Sequence, residues 1–229
     1  MFSAVTVHAQ PLPNGVEREA HWMAQAAATG RALAHLWEGT PGWAVPRSYT
    51  RAPAWPVHGQ ALRIRASGGG LVPMGPGLLN VSLVWCCDHG VGTSDAIYLA
   101  LCDALCAALA QLDIVAAARA VEGSLCDGRY NLAAGGRKIA GIAQAWRRIA
   151  GAQVVLAHAV LLVDADVEAL TAQANAVERA LGRPQRYRAT AATTIARLWC
   201  ARHGRADAPE GFARTVRAAV AQRFAGATT

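Results

Sequence analysis

The hydrophobic pattern along the chain alternates between a helical and a strand period. Over residues 93–112, Ile97, Leu101, Leu105 and Leu109 recur every four positions, so one apolar stripe runs along a helix that Thr93 or Ser94 can cap. Residues 14–29 read as an alanine-rich helix opening at Asn14, and residues 167–181 as a helix closed by Gly182 and Pro184. Residues 193–200 and 209–224 complete a helical end. Between these lie strand signals. Residues 79–86 combine β-branched and aromatic side chains, and residues 154–163 read as a strongly apolar strand. Residues 32–38 and 43–47 read as short strands around the turn Gly39-Thr40-Pro41-Gly42. Residues 61–65 form a strand entering a glycine-rich turn, and residues 130–134 and 139–147 pair across Gly135-Gly136. Residues 48–60, which hold Pro53 and Pro56, read as irregular. Strands and helices intermix without internal repeats, which predicts an α/β or α+β fold on a mixed sheet.

Composition bounds the rest. A chain of 229 residues with 53% hydrophobic content fits one large domain, or one domain with a small appendage. The formal net charge of +7 favours acidic partners. The basic residues form no run of five or six and do not interleave with aromatic residues in a patch, which argues against nucleic acid. No stretch of eighteen apolar residues predicts a membrane span, and residues 1–13 lack the basic start and apolar run of a secretory signal. The six cysteines match no zinc template and no compact disulfide framework, so the expected compartment is a reducing cytoplasm, with no metal.

Of the 22 Lys plus Arg, only residue 138 is lysine. Arginine serves everywhere else, so a retained lysine suggests a compact ammonium directed into a narrow pocket. Its neighbours Gly135, Gly136 and Gly141 leave room for a close approach. The run Arg63-Ile64-Arg65-Ala66-Ser67-Gly68-Gly69-Gly70, followed by Gly75, Gly77 and Asn80, is a strand ending in a triple glycine. Such a turn can face free backbone N–H groups toward an anionic or flat ligand, or can be a plain surface turn; its spacing fits neither the Walker A loop nor the dinucleotide fingerprint. In Cys126-Asp127-Gly128-Arg129-Tyr130-Asn131-Leu132, positive charge from Arg129 and Lys138 favours a thiolate while Asp127 opposes it. The plain alternative is an inert small hydrophobe. His158 on the apolar run is either a core residue with satisfied nitrogens or part of a pocket wall. Cys102 and Cys106, one helical turn apart, read as core. Cys86-Cys87-Asp88-His89 resembles a metal-ligand cluster, but adjacent strand residues point to opposite faces.

Taken in order, Arg65 with Ser67 to Gly70, then Gly128-Arg129-Tyr130-Asn131-Leu132, then Gly136 to Gly141, then His158 to Asp166 resemble the biotin/lipoate protein ligase and octanoyltransferase superfamily over roughly residues 30–180. The resemblance implies an α+β catalytic domain with a mixed, mostly antiparallel sheet flanked by helices, spanning residues 1–185, with residues 186–229 as a helical extension packed on it. It implies transfer of an octanoyl or lipoyl group to a lysine of an acidic lipoyl-domain protein, with Lys138 binding the carbonyl or phosphoryl oxygen. The implied substrate-binding set is Arg65, Ser67, Gly68, Gly69, Gly70, Gly77, Asn80, Arg129, Gly136, Gly141 and His158. Two routes follow. In one, a Cys126 thiolate takes the acyl group from an acyl carrier protein and no cofactor is required. In the other, a ligase uses ATP and Mg²⁺ to activate free lipoate, and Cys126 is a bystander. Lipoate ligases usually carry a histidine four residues after the triple glycine, where this chain has Met74, and often an accessory domain for which residues 186–229 are too few. Cysteine-dependent octanoyltransferases lack that domain and place their nucleophile shortly before a similar Tyr-x-Leu, at a slightly longer spacing than Cys126 to Tyr130. Met74 also leaves open a non-catalytic protein that only binds an acyl or biotin-like ligand.

Overall fold

The computed structural model describes residues 2, 4–56, 59, 61–87 and 93–225. The elements in chain order are β1 (Val5–Val7), α1 (Gly15–Thr29), β2 (Leu33–Trp37), β3 (Gly42–Pro46), a 3₁₀ turn (Arg47–Arg51), β4 (Leu62–Arg65), β5 (Val72–Met74), β6 (Leu78–Cys86) and α2 (Ser94–Ala110). They continue through β7 (Ala117–Ala118), β8 (Leu132–Ala134), β9 (Arg137–Ile149), β10 (Ala152–Leu162), α3 (Val167–Ala180), α4 (Ile195–His203) and α5 (Phe212–Phe224).

Seven strands form the main sheet in the order β1-β2-β6-β10-β9-β8-β7, and β4-β3-β5 form a smaller one. The β1–β2 and β3–β4 pairs are parallel and the others antiparallel, so the fold is α+β with a mixed, mostly antiparallel sheet. The two-residue period of a strand sorts its side chains between the two faces. On β6, Leu79, Val81 and Leu83 join Ala157, Ala159 and Leu161 of β10 in a core shared with Leu101, Leu105 and Leu109 of α2 and Val216 and Val220 of α5. The alternate residues turn the other way. Val84 of β6 and Leu156 of β10 pack with Val16, Trp22, Met23 and Ala26 of α1. His158 therefore shares the α1 face, directly across from Ser82 on β6.

Several local expectations translate directly into geometry. Thr93 caps α2 by accepting the Ala96 N–H, and Asp166 caps α3 by accepting that of Ala169. Asn14 occupies the N-cap of α1 but its side chain makes no capping bond. The β8–β9 hairpin turns through Gly135 and Gly136, both at positive φ. The segments around Gly39-Thr40-Pro41-Gly42 are both strands, β2 and β3, yet they do not pair. β2 belongs to the main sheet and β3 to the small one, so the turn is a crossing between sheets. Cys102 is core: it is buried, and burial pushes its thiol up to about 12. Asp88 and His89, half of the metal-like run, lie outside the described residues. Among the described residues no group of three or more His, Cys, Asp or Glu side chains is arranged to hold a metal, and no helix is long and apolar enough to cross a membrane.

Candidate active site

A largely apolar cavity opens between the α1 face of the main sheet and the small sheet. Trp37, Leu71, Val72, Met74, Ile142, Val160 and Leu162 supply much of its wall, and Glu19, Arg65, Asn80, Cys126, Lys138, Gly141 and His158 bring polar or nucleophilic groups or room to it.

Lys138 enters from β9 and is 5% exposed. Its Nζ donates to the carbonyl oxygens of Leu125 and of Cys126, the latter at 2.9 Å. An ammonium has three N–H donors, so one remains for a ligand. Gly141 makes space for this side chain: a Cβ there would lie 3.2 Å from Nζ. Burial is the main influence on the amine and pulls its pKa down to about 8, with Arg65 pushing the same way and the Cys126 and Asp127 side chains opposing.

Cys126 sits in a loop between β7 and β8 at φ +54°, a left-handed conformation uncommon for a residue with a Cβ. Two donors hold its carbonyl oxygen, Lys138 Nζ and Asn131 Nδ2, each at 2.9 Å. Its Sγ accepts the Gly70 N–H at 3.2 Å. The triple glycine is therefore a partner of the sulfur rather than a free surface turn. Gly69 is required there. Its φ is +105°, and a Cβ would fall 2.8 Å from Cys126 Sγ and 2.9 Å from Arg65 Nη2.

Arg65, at the end of β4, is 6% exposed. It donates from Nη1 to Ser67 Oγ at 2.7 Å and from Nη2 to the Gly70 carbonyl at 2.9 Å, and burial lowers its pKa from the ordinary arginine value. Ser67 Oγ also meets His158 Nε2 at 2.7 Å, and His158 Nδ1 meets Glu19 Oε1 at 2.8 Å. His158 is thus both a half-buried histidine with both nitrogens bonded and part of the cavity wall. Asn80 lines the cavity and donates to the Trp37 carbonyl at 3.3 Å.

Other expected residues lie elsewhere. Arg129 is largely exposed, pairs with Asp95 at 3.0 Å and stacks over the Tyr130 ring. Gly136 lines a separate polar hollow with Arg119 and Arg188. Gly77 accepts the N–H groups of Val163 and Asp164, holding the start of β6 against the end of β10. Gly68 has nothing within 4 Å of a hypothetical Cβ. The residue that sequence reasoning missed is Glu19. The signal was present: Val16, Glu19, Trp22, Met23 and Ala26 form the buried stripe of α1, so a carboxylate stands on an apolar face.

The profile of the lipoyl protein ligase A/B catalytic domain matches residues 49–198, and the chain belongs to that family. It is an enzyme of the acyltransferase or ligase kind that the family comprises. The particular relatives are mixed in what is known of them. An uncharacterized protein of Cupriavidus necator is 45% identical over 181 residues, covering 70% of this chain and 72% of that one. The octanoyl-[GcvH]:protein N-octanoyltransferase of Kyrpidia tusciae is 42% identical over 118 residues, which cover 49% of this chain and 41% of that protein. In fold, the chain is similar to lipoate-protein ligase A bound with ATP, at a TM-score of 0.68 and 18% identity over 98% of this chain and 84% of that one. It is also similar to a lipoate protein ligase of the bipartite system of Thermoplasma acidophilum, at 0.62 and 18% identity over 98% and 82%.

Proposed function

We propose that the protein transfers an octanoyl or lipoyl group to a lysine of an acidic lipoyl-domain protein through a Cys126 thioester, with residues 1–185 as the catalytic part and residues 186–229 packed on it. The observation that carries this reading is that Cys126, its sulfur held by the Gly70 N–H, and the buried Lys138 both line one apolar cavity. The apolar wall suits an unbranched acyl chain, and the polar end suits its carbonyl.

In the first half-reaction the Cys126 thiolate attacks the carbonyl of an acyl thioester on a carrier protein. The tetrahedral oxyanion is met by the third N–H of Lys138 and by N–H groups of the glycine loop. It collapses with cleavage of the carrier C–S bond, and the carrier leaves as its thiolate, which takes a proton from solvent. In the second half, the neutral amine of the acceptor lysine attacks the Cys126 thioester. An amide forms, the Cys126 C–S bond breaks, and the proton shed by the amine leaves a thiol or passes to solvent. The Kyrpidia relative's name states an octanoyl transfer and supports this reading over ligation. The net positive charge of the chain would help steer acidic carrier and acceptor proteins.

The test is an octanoylation assay with and without ATP and Mg²⁺. The account predicts product from octanoyl-carrier protein without nucleotide. Release of pyrophosphate that depends on free lipoate and ATP, with Cys126→Ala fully active, identifies the ligase route instead.

A further inference from the structure

Glu19 and His158 are separated by 139 residues in sequence, yet they begin an unbroken chain of hydrogen bonds that ends beside the Cys126 sulfur. Trp37 Nε1 donates to Ser82 Oγ at 3.0 Å, and Ser82 donates to Glu19 Oε1 at 2.8 Å. The Glu19 carboxylate is 3% exposed and can only accept, so it also draws the hydrogen of His158 onto Nδ1. In the neutral ring this leaves Nε2 as an acceptor for the Ser67 hydroxyl. The Ser67 oxygen then turns its lone pairs to Arg65 Nη1. The other arm of the same guanidinium, Nη2, holds the Gly70 carbonyl, the Gly70 N–H meets the Cys126 sulfur, and a Cβ at Gly69 would lie 2.9 Å from Nη2 and 2.8 Å from that sulfur, so guanidinium and sulfur flank one point. Each hydrogen in this series has one direction, and the direction is set at Glu19.

We infer that Glu19, His158 and Ser67 form a positioning relay that fixes the Arg65 guanidinium beside the Cys126 sulfur and so sets how fast that sulfur reacts. Glu19 touches neither sulfur nor acyl group; it acts through the imidazole. Replacing it with leucine removes the one oxygen, Oε1, that both Ser82 and Nδ1 use. The ring hydrogen is then released to Nε2, which donates to Ser67 and turns the Ser67 hydroxyl hydrogen off the ring, toward the side from which Arg65 Nη1 donates. The relay rests on the proposed role of Cys126 for its use in catalysis, but its geometry can be probed without any acyl donor.

The experiment measures alkylation of Cys126 by iodoacetamide in the donor-free full chain, following the Cys126 peptide by mass. Glu19→Leu and Ser67→Ala are each expected to slow alkylation at neutral pH at least about fivefold, through loss of a cationic partner at the sulfur. Arg65→Gln should slow it as much, and Glu19→Leu added to Arg65→Gln should slow it no further, because both act through one guanidinium. Glu19→Gln, whose amide oxygen keeps an acceptor for Nδ1, should recover part of the rate. Wild-type alkylation in both Glu19→Leu and Ser67→Ala overturns the relay, as do fully additive effects of Glu19→Leu and Arg65→Gln. If Glu19→Leu does not fold, Ser67→Ala decides, since it removes a single hydroxyl. Failure of wild-type protein to take an octanoyl group would count against the proposed function while leaving the alkylation result to judge the relay.

Discussion

The Lys138 ammonium donates to the carbonyl oxygen of Cys126, while the sulfur of that same residue accepts the Gly70 N–H. One residue is thus held at both ends, its backbone by a buried cation on β9 and its side chain by the glycine loop that follows β4. In the proposed mechanism Lys138 therefore has two uses. It holds the left-handed loop that presents the sulfur, and its third N–H meets charge that develops on a substrate oxygen.

Lys138→Met separates these uses through pH. Burial lowers the folded-state pKa from 10.5 to about 8. Between those values the unfolded chain binds more protons than the folded one, so folding becomes more favourable as pH rises through that window. The stability of wild type relative to Lys138→Met should therefore be flat below about pH 8 and climb toward 10.5, as read from denaturant midpoints at a series of pH values. Cys126 acylation should show the opposite trend, falling as pH passes about 8 because the ammonium is lost. In Lys138→Met, acylation at neutral pH should drop about a hundredfold or more, the usual cost of removing an oxyanion donor.

Gly69→Ala should disable the site with modest effect on the fold. The new methyl would fall within 3 Å of both Cys126 Sγ and Arg65 Nη2, on a backbone at φ +105°. The expected loss of stability is about 1–3 kcal/mol. Acylation should slow by about a hundredfold, the scale of a misplacement near 1 Å. Gly68→Ala is the control, since its Cβ meets nothing within 4 Å, and it should retain most of the wild-type rate.

Gly15→Ala tests the cavity wall. A Cβ at Gly15 would lie 2.0 Å from the Trp37 ring, which is 1% exposed and lines the cavity. The ring must shift, and Trp37 is tied through Ser82 to Glu19. Overpacking of this kind costs about 1–3 kcal/mol. Octanoyl uptake should weaken more than uptake of a short acyl group such as butyryl, measured as half-saturating donor concentration.

Much of this site was legible because its parts are local. The triple glycine, the isolated lysine and the Gly135-Gly136 hairpin announce themselves within a few residues, and each has a backbone reason visible in the structure. Lys138 was expected in a pocket beside the glycine loop, and it is buried there with Cys126 between the two. What sequence reasoning passed over is non-local. β5 is only three residues long and follows a glycine run, so no period could reveal it. The strands on either side of the Gly39-Thr40-Pro41-Gly42 turn could be read, but a turn signal does not say which sheet each arm joins. Glu19 looked like an ordinary helix carboxylate until β10 and β6 brought His158 and Ser82 to it. Arg129 had the charge for a ligand contact, but Asp95 and the Tyr130 ring occupy it at the surface.

The most direct test of the account is the intact mass of the protein after brief incubation with octanoyl-carrier protein in the absence of nucleotide. The account predicts a gain of one octanoyl group on Cys126, removed by hydroxylamine and absent in Cys126→Ala. An unmodified wild-type protein that still delivers octanoyl to the acceptor lysine, or a Cys126→Ala variant with undiminished transfer, would contradict it.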